Sequence, residues 1–110
     1  MKGDTSECVS ATSDGAYVRV TYSDGRCAAR MAMPDGRRVE NVLVSPRRIV
    51  AVSDRSICAW TIDADYAYTV MLRTEIDATE FVDQSTVFVC TRDGVAMHMC
   101  VETGKLSLVE

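Results

Sequence analysis

Three aspartates stand at near-equal intervals along a chain of 110 residues: Asp14, Asp54 and Asp93, separated by 40 and then 39 residues. Brought together by a fold, such carboxylates could share a proton for general acid–base work or ligate calcium. Each lies in a turn-forming run, however: Ser13-Asp14-Gly15, Ser53-Asp54-Arg55 and Arg92-Asp93-Gly94. An aspartate there accepts hydrogen bonds from the turn backbone. Regular spacing then marks a repeated turn, and the expected role is structural. The single histidine, His98, lies between Met97 and Met99 and shows no partner that would make it a general base. Glycines occur only singly, so no phosphate-cradling loop is present. No catalytic, cofactor-binding or metal-ligating residue is assigned, and the chain does not read as an enzyme.

The five cysteines, Cys8, Cys27, Cys58, Cys90 and Cys100, include no Cys-x-x-Cys pair and are odd in number. Neither a zinc site nor a disulfide framework is signalled. They read as reduced, small buried hydrophobes. Cys8–Cys27 or Cys90–Cys100 pairing belongs to the case of a secreted chain. Ser45-Pro46-Arg47-Arg48 fits a proline-directed phosphorylation site at Ser45, and equally a turn between strands. Arg37, Arg38, Tyr66 and Arg73 fall near expected loops and are the candidate partner contacts, since Arg and Tyr are enriched at binding hot spots.

These residues must be held by short strands. Apolar residues make up 47% and charged residues 25%, the balance of a soluble globular domain. The formal net charge of −4 argues against a nucleic-acid partner. No apolar run is long enough for a membrane helix. The polar segment from Met1 to Glu7 does not read as a signal or transit peptide. The expectation is an intracellular protein, cytoplasmic or nuclear. Alternation marks strands at 8–13, 16–22, 26–33, 39–44, 49–52, 57–62, 66–72, 78–82, 87–91, 95–101 and 106–109, separated by Gly, Asp and Pro turns. The fold class is all-β, in a single domain.

Laid on their aspartates, the three units align Val18, Cys58 and Met97, then Val20, Trp60 and Met99, then Tyr22, Ile62 and Val101 on one apolar face. The opposite face is mixed, with Tyr17, Ile57 and Ala96, then Arg19, Ala59 and His98. Strands half-buried on both sides suit a sheet held between two others. A period near 40 with about four strands per unit resembles the WD40 type of β-propeller. Asp54 to Thr61 follows that family's Asp-Gly-x-x-x-x-Trp-Asp spacing, with Arg55 for Gly and Thr61 for the last Asp. Asp93 to Cys100 keeps Asp-Gly and puts Met99 at the Trp position, while Val42 to Pro46 resembles the inner strand and its Ser-Pro turn. The family's Gly-His is missing; Asp35-Gly36-Arg37-Arg38 and Arg73-Thr74-Glu75-Ile76 occupy its places.

The resemblance implies four-stranded antiparallel blades over 8–33, 39–72 and 78–109, a little under three in number. A compact β-sandwich or barrel is the alternative. Asp14, Asp54, Trp60 and Asp93 are then structural repeat positions. The implied function is a non-catalytic protein–protein interaction scaffold, part of or completed by a larger assembly. The rivals are an assembly subunit whose sheet edges join another chain or a second copy, and a small-ligand or enzymatic β domain. No cofactor is expected.

Overall fold

The computed structural model describes residues 8–25 and 31–109. The described residues form ten strands: β1 (Cys8–Ser13), β2 (Val18–Tyr22), β3 (Asn41–Val44), β4 (Arg48–Val52), β5 (Ser56–Thr61), β6 (Tyr66–Met71), β7 (Ile76–Asp83), β8 (Thr86–Thr91), β9 (Ala96–Cys100) and β10 (Leu106–Leu108). They form three antiparallel sheets, β1-β2, β3-β4-β5-β6 and β7-β8-β9-β10, and every strand pairs with its neighbour in sequence. The fold is therefore all-β with two four-stranded sheets. Among the described residues no sheet closes into a barrel. No helix of the described residues is long and apolar enough to cross a membrane.

Ten of the eleven expected stretches appear as strands. β7 begins at Ile76, two residues before the expected start, because Ile76 already pairs with Thr91. The strand expected over 26–33 falls partly outside the described residues. Its end is visible as a bridge in which Val18 and Met31 exchange both backbone hydrogen bonds, at 2.7 and 3.0 Å.

Two hydrophobic layers hold the three sheets in a row, with Cα extents of 46 × 28 × 17 Å. Ile49, Ala51, Cys58 and Trp60 of the middle sheet meet Val18, Val20 and Tyr22 of the first, with Met31, Met33 and Val39 alongside. Val50, Val52, Ile57 and Ala59, on the middle sheet's other face, meet Val87, Val89, Met97 and Met99 of the third. β5 is consequently buried at every position from Ser56 to Trp60. This is the two-sided burial that its unbroken apolar content implies.

One feature of the aligned units is corrected. In the first hairpin Asp14 itself closes the turn, its N–H donating to Tyr17 C=O at 3.3 Å, and Gly15-Ala16 form the loop. In the second, Ser53 closes the turn with Ser56 at 2.8 Å, and Asp54-Arg55 form the loop. In the third, Thr91 closes it with Val95 at 2.9 Å around Arg92-Asp93-Gly94. The partner that closes the turn, Tyr17, thus stands three residues after its aspartate, whereas Ser56 and Val95 stand two after theirs, so β2 starts one residue off the alignment. A one-residue slip turns every side chain to the other face. Val18 and Val20 accordingly face the following sheet, whereas Cys58, Trp60, Met97 and Met99 face the preceding one.

Candidate functional site

The β1–β2, β4–β5 and β8–β9 turns lie at one end of the stack, where the connections between sheets cross over them. Backbone hydrogen bonds fix these crossings: Val39 N–H donates to Gly15 C=O at 2.8 Å, and Leu72 N–H to Arg55 C=O at 2.8 Å. Ile76 N–H donates to Asp54 C=O at 2.7 Å, and Arg92 N–H to Glu75 C=O at 2.8 Å. Side chains on turns and connections are therefore held on a rigid frame, the arrangement that favours loop-borne function.

The repeat aspartates differ in what they do there. Asp14 Oδ1 accepts the Tyr17 and Ala16 N–H groups, each at 2.9 Å, and these bonds hold its carboxyl below the usual range. Asp54 instead accepts Arg37 Nη1 at 3.0 Å. Asp93 accepts the hydroxyls of Thr91 and, at 3.4 Å, Thr74; the Thr91 bond is the main reason its carboxyl is lowered. Among the described residues no three His, Cys, Asp or Glu side chains are grouped to hold a metal.

A buried network that the sequence reading missed underlies Asp54. Ser56 Oγ donates to Asp35 Oδ2 at 2.7 Å and lies 2.6 Å from Ser53 Oγ. Ser53 Oγ also accepts the Ser56 and Arg55 N–H groups at 3.0 and 3.3 Å. Both serines are buried, so these bonds meet a need for partners that water cannot reach. Asp35 and Arg37 come from the segment where a Gly-His was missing. The available signal was the pair of hydroxyls flanking Asp54-Arg55.

The proposed contacts divide between the two ends. Arg37 is committed to Asp35, at 3.4 Å, and to Asp54. Arg38 is exposed, with its guanidinium over Gly15, where a Cβ would come within 2.6 Å of it. Arg73 is also exposed. It lines an open cleft of about 310 Å³ together with Arg55, Thr74, Glu75, Arg92 and Asp93. Tyr66 is exposed at the opposite end of the middle sheet: β6 runs from Tyr66 beside Trp60 to Met71 beside Ser56.

Ser45 lies at that far end and is only 5% exposed. Its hydroxyl accepts Arg48 N–H at 2.9 Å and Arg47 N–H at 3.3 Å, and donates to Arg48 C=O at 3.2 Å. Phosphorylation there would require the turn to open. Arg47 and Arg48 both pair with Glu102 at 3.3 Å across the gap to the third sheet. Trp60, 5% exposed, is a core residue between the first and middle sheets.

Two tyrosines span the layers in parallel fashion. Tyr22 O–H donates to Ile62 C=O and Tyr68 O–H to Val101 C=O, each at 2.6 Å. Burial pushes the Tyr68 phenol up to about 12. His98 is half-buried on the outer face of the third sheet, edge-on to Phe88 with ring centroids 6.3 Å apart. Cys58, Cys90 and Cys100 are free thiols. Cys90 pairs with Ala96 and Cys100 with Thr86, so the two sulfurs sit at opposite ends of their hairpin. The Cys8–Cys27 pairing lies outside the described residues. No family model and no curated protein matches the chain.

Proposed function

We propose that this chain is a protein-interaction module built of successive blades of a WD40-like propeller. The observation that carries this reading is the middle sheet, buried on both faces between two others that follow it and precede it in sequence. Sheets stacked in chain order, each meander starting on the same side, are how a propeller arranges its blades. The side-chain bond from Asn41 of β3 to Thr79 of β7, at 3.4 Å, links the starting strands of two neighbouring sheets and supports that arrangement. Under this reading the turns and connections meet protein partners, while the sheets supply rigidity. The net charge of −4 disfavours nucleic acid.

A second reading, an assembly subunit, is favoured by one feature. Phe88, Cys90, Ala96, His98 and Cys100 share the outer face of the third sheet and are each half-buried, with no sheet over them among the described residues. An apolar sheet face of this kind suits another sheet. Sedimentation velocity and electron-microscope class averages test both readings. Ring-shaped particles with repeated sheets are expected when the propeller is complete. A strictly monomeric chain with no sheet-bearing partner in its native complex would overturn them.

A further inference from the structure

Three arginines from different parts of the chain line one cleft at the turn end. Arg55 comes from the β4–β5 loop, Arg73 from the connection between the middle and third sheets, and Arg92 from the β8–β9 loop. Their backbones are fixed to one another through the bonds from Leu72 to Arg55 and from Arg92 to Glu75. Arg92 pairs with Glu75 at 2.6 Å. Arg55 and Arg73 are exposed and have no carboxylate within ion-pair distance among the described residues. The acids nearby are already engaged. Asp93 is held by Thr91 and Thr74, and Asp54 by Arg37. These two guanidiniums, without a carboxylate partner among the described residues, stand on a rigid frame.

We propose that this cleft binds an extended acidic peptide segment of a protein partner, with Arg55 and Arg73 each gripping one oxyanion. This rests on the interaction-module reading and names the chemistry of its partner. A guanidinium presents a planar fork of N–H donors that matches a carboxylate or a phosphate. Both groups can be carried by one peptide class, as glutamates or as phosphoserines. With acids and arginines interleaved at this end, long-range attraction is small. Recognition therefore depends on the two forks meeting oxyanions at the right separation. Arg38, also exposed, lies over the β1–β2 turn one sheet away and lines a separate cavity.

The test is titration calorimetry at low salt with three peptides of equal length: Glu-rich, phosphoserine-containing and Lys-rich. Either acidic peptide should bind and the Lys-rich one should not. Which acidic peptide binds more tightly identifies carboxylate or phosphate as the group. Arg55→Ser and Arg73→Ser should each weaken binding about tenfold with unchanged melting, and raised salt should weaken it further. Equal binding by the double variant, no binding of either acidic peptide, or tighter binding of a single-stranded oligonucleotide would overturn the proposal. Because ring formation is read separately by sedimentation and microscopy, failure here leaves the interaction-module reading standing.

Discussion

The first and third sheets flank the same middle sheet, yet they turn different surfaces outward. Both are anchored by a hydrophobic layer, a tyrosine bonded to a carbonyl across the gap, and backbone bonds at the turn end. The outer face of the first sheet carries exposed Thr12, Arg19 and Thr21. The third sheet carries Phe88, Cys90, Ala96, His98 and Cys100 there. One outer face is thus polar, and the other is of the apolar kind that suits another sheet. The difference originates in a one-residue slip at the first turn. Because Asp14 closes its hairpin, the apolar set of β2 points inward, and its polar set takes the positions that Cys58 and Trp60 hold in β5.

The largest effects should come from the layers that make the two flanks alike. Trp60→Ala should cost about 3–5 kcal/mol and Met99→Ala about 2–5 kcal/mol in urea melts. A near-neutral Trp60→Ala variant would mean that the first sheet is not docked as described. Gly104→Ala comes next, at about 1–3 kcal/mol. Gly104 has a φ of 79°, and an added Cβ would lie 2.6 Å from the Tyr68 ring. The first sheet's counterpart is Gly15, whose added Cβ would meet only the end of the flexible Arg38 side chain, so Gly104→Ala loosens the third sheet specifically.

Tyr22→Phe and Tyr68→Phe should each cost about 1 kcal/mol, the worth of one hydrogen bond. Unequal losses would show that the two staples are not equivalent. Tyr68 adds a pH signature. Its folded-state value is raised above the usual 10 to about 12. The folded protein therefore holds the phenol proton more tightly than the unfolded chain. That contribution is complete below pH 10 and declines as pH rises towards 12. Melts across that range should show a decline that Tyr68→Phe reduces.

The smallest stability effects belong to the outer faces. Arg19→Ala and His98→Glu should each shift the melt by about 0.5 kcal/mol or less. Only His98→Glu should weaken association with a sheet-bearing partner, read by sedimentation. If Arg19→Ala does the same, the polar and the apolar outer faces are not distinct.

The strands were legible because alternation and turn residues agree at nearly every segment, and Cys58-Ala59-Trp60 showed two-sided burial directly. The slip was hidden because Asp-Gly reads as a turn whether the aspartate closes it or sits in its loop; only the partner of the backbone N–H distinguishes the two. Asp35 and Ser56 meet across 21 residues of chain, and nothing local links a carboxylate to a distant hydroxyl. The cleft was legible only in part. Arg73 stood out as a loop arginine, whereas Arg55 looked like a replaced turn glycine until the connection crossed beside it.

The neighbour-to-neighbour pairing of all ten strands bears on how the chain acquires its structure. Each hairpin closes a short loop, so little chain entropy is lost before contacts form, a topology associated with faster folding than long-range strand pairing allows. The first hairpin can pair as soon as residue 22 is available, but its apolar layer is complete only when Ile49, Ala51, Cys58 and Trp60 of the middle sheet arrive. During synthesis the first sheet should remain a loose hairpin until the middle sheet forms. The third sheet, by contrast, emerges onto a surface already in place.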